Sequence, residues 1–119
     1  MDVYQTASEV IGKREVAVVV FTHGDHFYFD EQTGVGQSGN WVVDPELVEG
    51  MDKIIVYYRA DGDGTNHIFL GTYAGYDKSP EPRRYIIRFH SIKKVGTTPN
   101  NWFNFGNGSQ SPVCYVAGS

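Results

Sequence analysis

The chain has 119 residues, 40% hydrophobic and 20% charged, with a net charge of −4. A chain of this size and balance forms one ordinary domain, 1–119, and buries a core without staples, which excludes an intrinsically disordered chain. The acidic balance excludes bulk, non-specific nucleic-acid binding, and the longest apolar run, VAVVVF at 16–21, is far too short to span a bilayer.

The N-terminus, MDVYQTASEV, lacks the charged-then-apolar pattern of a signal peptide. Cys114 is the single cysteine and sits in the apolar run PVCYV, which fits an inert thiol in a reducing compartment. The expectation is a soluble cytoplasmic protein. Residues 2–11 have Val3, Tyr4, Ala7, Val10 and Ile11 on one stripe at helical spacing, with Asp2 to cap and Gly12 to stop, and predict a short amphipathic helix.

EVAVVVFTH and HFYFD then read as two strands of a hairpin joined by Gly24-Asp25. That register places Val16, Val18, Val20, Phe27 and Phe29 on the core face and pairs His23 with His26 across the tip. The quartet HGDH invites a metal reading, but two imidazoles are half a structural zinc site and no spacing brings further ligands near. The turn explains it: glycine supplies the positive φ and aspartate tolerates the bend.

EQTGVGQSGN reads as a glycine-rich loop. DPELVEG predicts one or two helical turns, with Asp44 as cap, Pro45 in the first position and Gly50 as stop. Strands follow at 53–60, at 67–73 after the turn DGDGTN, and at 83–92 after the break SPEP. In the last of these Tyr85, Ile87 and Phe89 share one side, and Arg84, Arg88 and His90 share the other with Ile86 and Ile92. DGDGTN is no EF-hand loop, because Asn66 and Thr72 stand where glycine and glutamate are needed. Residues 96–112 read as an aromatic loop and VCYVA as a final strand. The expected class is α+β: a mostly antiparallel curled sheet or small β-barrel with two short helices.

Charge is unevenly spread. Residues 1–76 hold four basic side chains against twelve acids, and residues 77–119 hold six basics against two acids. The basic half contributes Lys78, Arg83, Arg84, Arg88, Lys93 and Lys94, read either as an anion-binding face or as a solvated edge that discourages strand pairing. Trp41 and Trp102 stand in polar surroundings, read either as staples over the sheet or as a stacking wall for a planar ligand. Asn100, Asn101 and Gln110 are placed to hydrogen-bond the edge of such a ligand. GNGSQS lacks the Gly-Lys-Ser/Thr of a phosphate loop, no G-x-S-x-G occurs, and neither a catalytic residue nor a cofactor is expected.

MDKIIVYYRADGDGTNHIFLGTYAGY, followed by RRYIIRFHSI, resembles the central strands of the PUA-like superfamily, especially its EVE and ASCH branches. The likeness covers about residues 40–95 and is one of strand order and turn chemistry; Met51 interrupts the Gly-Asp pair often adjacent in the family. The tail NNWFNFGNGSQSPVCYV resembles small bacterial proteins, some carried on mobile elements. The resemblance implies a small curled barrel with an aromatic cleft that takes RNA or modified bases, formed here by Trp41, Tyr57, Arg88 and Trp102, with Lys78, Arg83, Arg84, Lys93 and Lys94 toward phosphates. Three functions are therefore expected in order: a nucleic-acid or modified-base binding module, a small-molecule-binding protein with an aromatic pocket, and a homodimeric adaptor. An enzyme ranks last.

Overall fold

A computed structural model describes residues 2–59, 62 and 64–119, and in it eight strands form one mixed sheet. They are β1 (Asp2–Val3), β2 (Val16–Thr22), β3 (Phe27–Phe29), β4 (Gly36–Trp41), β5 (Lys53–Arg59), β6 (Asn66–Lys78), β7 (Tyr85–Thr98) and β8 (Val113–Ala117). The order across the sheet is β3-β4-β7-β6-β5-β2-β8, with β1 on β7. Two short helices, α1 (Pro45–Val48) and α2 (Trp102–Phe105), and a 3-10 turn at Ala7–Glu9 complete the described elements. Among the described residues no helix is long and apolar enough to cross a membrane.

The apolar runs of β5 and β2 sit side by side in parallel between β6 and the β8 edge, Val18 opposite Ile54 and Val20 opposite Val56. Both strands are apolar on both faces because the sheet has a core on each side. Alternate residues divide between them. Ala17, Val19, Ile55, Tyr57 and Ile68 join the core under the 3-10 turn and α2, while Val18, Val20, Ile54 and Val56 join the core under α1 with Trp41, Ile87 and Phe89. β6 and β7 are 13 and 14 residues long and their pairing shifts register three times. Such bulges bend and twist a strand pair, which curls the sheet over the second core. The sheet keeps two ends, β3 and β8, so the curled form holds and the closed barrel does not.

Several expectations are met. Asp44 caps α1, its side chain accepting from Glu46 N at 3.0 Å, with Pro45 in the first turn. β5 and β8 lie where their patterns place them. Others are corrected. Residues 2–11 are not one helix: Asp2–Val3 pairs with Gly96 and Thr97, because Gly96 has no Cβ to collide with the Asp2 carbonyl. β2 and β3 form no hairpin, since β2 takes β5 and β8 as neighbours and β3 takes β4. Phe27 and Phe29 nevertheless pack on the core of Val18 and Val20, as the pattern required.

Part of the supposed loop at 31–40 is β4, held between β3 and β7 despite its glycines. Ile92 is buried with Ile87 and Phe89 instead of sharing the side of Arg88 and His90, because Ser91 has φ +57 and a register shift reverses the alternation. The sequence expectations for Ala60, Asp61 and Asp63 lie outside the described residues.

Candidate ligand-binding cleft

Two adjoining hollows lie where the end of β2 and its following turn meet β4 and the turn between β6 and β7. The first, of about 290 Å3, is lined by Phe21, Thr22 and His23 from the end of β2, Asp25 and His26 from the turn, Gly39, Asn40 and Trp41 from β4, and Glu81 and Arg84. The second, of about 310 Å3, is formed by Lys78, Ser79, Glu81, Pro82, Arg83, Arg84 and Tyr85. Glu81 and Arg84 belong to both, so the two make one composite cleft.

The 79–84 loop is fastened to β4 by Asn40. Ser79 Oγ donates to Asn40 Oδ1 at 2.6 Å, and an Arg84 guanidinium nitrogen donates to the Asn40 carbonyl at 3.1 Å. Within the loop Ser79 N donates to the Arg84 carbonyl at 3.0 Å and Glu81 N to Ser79 Oγ at 3.1 Å. Arg83 has φ +63, which turns the chain so that two successive arginines border the same hollow. Among the described residues neither Lys78 nor Arg83 has an ion-pair partner. On the other wall, His23 Nδ1 lies 3.0 Å from the Arg59 carbonyl and its ring is 5.0 Å from Phe21. The cleft thus combines cations and flat rings with two carboxylates, Asp25 and Glu81.

The expected ligand residues are divided. Trp41 lines the first hollow, but only by an edge: it is 8% exposed and its Nε1 donates to Ser38 Oγ at 3.0 Å. Trp102 is also 8% exposed and belongs to the core on the opposite face of the sheet, where it stacks on Phe21 and donates to the Ser111 carbonyl at 2.7 Å. The two indoles therefore do not form one stacking wall. Tyr57 is 1% exposed and cannot wall an open cleft; its hydroxyl donates to the Asn100 carbonyl at 2.8 Å, and burial pushes its pKa up against the lowering effect of Arg59.

Asn101 accepts from Asn104 N at 2.9 Å and caps α2, so its carbonyl oxygen is already engaged. Gln110 is exposed beyond α2, away from the cleft lining. Arg88 lies on the outer face of β7 and pairs with Asp77 at 2.9 Å. Of the five cations expected to meet phosphate, Lys78, Arg83 and Arg84 come together. Lys93 and Lys94 stand further along β7, opposite Leu70 and Phe69, and do not line it.

Sequence reasoning missed Asn40, Asp25 and the histidines as a wall of this cleft. The HGDH quartet was visible, but its neighbours across the opening come from chain positions 39–41 and 81–84, and no spacing announces that approach. Among the described residues no group of three or more His, Cys, Asp or Glu side chains could hold a metal ion.

No protein-family model, no curated protein and no solved structure matches this chain.

Proposed function

We propose that the protein is a binding module for single-stranded nucleic acid, with phosphate on Lys78, Arg83 and Arg84 and a base in the adjoining hollow beside Phe21, His23 and the Trp41 edge. One observation carries this reading: a cationic hollow and an aromatic one share Arg84. Phosphates favour guanidinium and ammonium donors, and bases favour flat rings, so a phosphate next to a base matches the two halves in order. Asp25 and Glu81 add acceptors for exocyclic amines, which every base but uracil and thymine carries. The resemblance of residues 40–95 to PUA-like domains points to the same ligand class, though through this cleft rather than between two indoles.

Three phosphate contacts give a single-strand salt slope of about −2 in log K against log salt. Fluorescence anisotropy with a labelled oligonucleotide at low salt tests this. The Arg83→Ala/Arg84→Ala double variant is expected to lose affinity and to bring the slope to about −0.7. Absence of binding to any oligonucleotide at low salt contradicts the reading. The size of each hollow also suits a single nucleotide. Thermal shifts with mononucleotides but none with oligonucleotides would favour that smaller ligand.

A further inference from the structure

We propose that β8 pairs antiparallel with β8 of a second copy, continuing the sheet across a two-fold axis. β8 ends the sheet, with β2 as its neighbour on one side and no described strand on the other. Its bonding pattern fixes which main-chain groups face outward. Phe21 N donates to the Pro112 carbonyl at 2.9 Å, and Gly118 N to the Glu15 carbonyl at 3.0 Å. Bonded and non-bonded pairs alternate along an antiparallel ladder. The bonded pairs between those two are therefore Val19 with Cys114 and Ala17 with Val116. Val113, Tyr115 and Ala117 then direct their N–H and C=O groups away from β2.

The Val113 N–H is already taken, since it donates to Ser111 Oγ at 3.2 Å. Past the strand's end the outward side is taken as well, since Ser119 N donates to the Ser8 carbonyl at 3.3 Å, and what remains is a self-complementary set centred on Tyr115. In a two-fold pair Tyr115 exchanges two bonds with the Tyr115 of the other copy, and each Ala117 N–H reaches the opposite Val113 carbonyl.

The two ends of the sheet differ in how they are guarded. β3 has three residues and is bracketed by Asp25 and His26 before it and Asp30 and Glu31 after it, which are the devices that block edge pairing. β8 is longer and holds no charge, proline or glycine. Its side chains are committed: Val113 and Tyr115 to one core, Cys114 and Val116 to the other. A foreign peptide would find no side-chain pockets there to read. A second β8 needs none, because its groups match in register, and two copies of net charge −4 meet there along an uncharged strip.

Repulsion enters only at the margin. α1 lies on the Tyr115 face, where Asp44 N donates to Tyr115 Oη at 3.1 Å, and the two-fold brings Asp44, Glu46 and Glu49 of both copies to one side of the joined sheet. Salt therefore strengthens this dimer, whereas it weakens nucleic-acid binding; the two proposals fail separately.

Analytical ultracentrifugation of the full chain from about 1 to about 200 µM, with and without 0.5 M NaCl, tests the pairing. A dimer whose dissociation constant falls with salt is expected. Ala117 is exposed and its N–H faces outward, so Ala117→Pro removes an edge donor without touching the β2 ladder. Ala117→Lys places a charge on the strip and serves if the proline variant does not fold. Each folded variant is expected to dissociate at least about tenfold more readily. A wild-type monomer throughout, a dimer weakened by salt, or a dimer undiminished in either folded variant overturns the proposal.

Discussion

Burial pushes the Cys114 thiol up to about 11 from 9.0, and the Tyr73 phenol up to about 12 from 10.0 with further raising from Glu49 and Tyr76. Both groups hold their protons more tightly folded than unfolded. Their contribution to stability is complete below pH 9.0, falls as the thiol titrates toward about 11, and falls again from 10.0 to about 12. Urea midpoints are expected to be level up to about pH 9 and to drop steadily above it. A midpoint that rises between pH 9 and 11 contradicts this. The same burial keeps the thiolate scarce, so native Cys114 alkylates slowly at pH 8 and rapidly once urea unfolds the chain. Trp102 belongs to the same scale of argument. Its indole is a lid on one core, and Trp102→Ala is expected to cost about 3–5 kcal/mol in chemical denaturation. Trp102→Phe keeps an aromatic ring behind Phe21 and should bind oligonucleotide with wild-type affinity, because the indole itself lines neither hollow. A large loss of affinity in that folded variant would return Trp102 to the binding site.

Strands with a strong apolar pattern were legible, and so was α1 with its Asp44 cap and Pro45. The misreadings share one cause, which is long-range pairing that overrides local preference. Gly36, Ser38 and Gly39 read as loop, yet β3 and β7 enclose them as β4, and a Cβ on Gly36 would collide with the Tyr28 carbonyl. Asp2–Val3 had helical spacing, yet the chain's end is captured by Gly96 of β7. α2 was hidden because four residues are too few to show a period, and its Asn101 cap resembles any asparagine of a loop. Gly96 tests the first of these captures. Gly96→Ala drives a methyl into the Asp2 carbonyl and is expected to destabilise the fold by about 1–3 kcal/mol. Deleting residues 1–4, which takes away both the Asp2 carbonyl and the Tyr4 ring beside that methyl, should then remove most of that penalty, and a full penalty in the truncated chain would mean that the N-terminal segment is not its source.

At the scale of the whole molecule, the charge asymmetry seen in the sequence becomes geometry only in part. The basic half supplies the 78–84 loop, which meets the turn after β2 and the end of β4. Arg88 is compensated by Asp77, and Lys93 and Lys94 lie elsewhere on β7. Composition could announce a basic half, but only the bend of β6 and β7 decides which of its cations gather. For the indoles the sequence left two readings, staples or a stacking wall, and neighbouring β2 residues facing opposite cores place Trp41 and Trp102 as staples on opposite sides of one sheet. Titration of the isotope-labelled protein with a single-stranded oligonucleotide, followed by amide chemical shifts, bears most directly on the cleft. Shifts concentrated at His23, Asp25, Asn40, Trp41, Arg83 and Arg84 are expected. Shifts confined to α2, β8 or Arg88, or none at low salt, would contradict it.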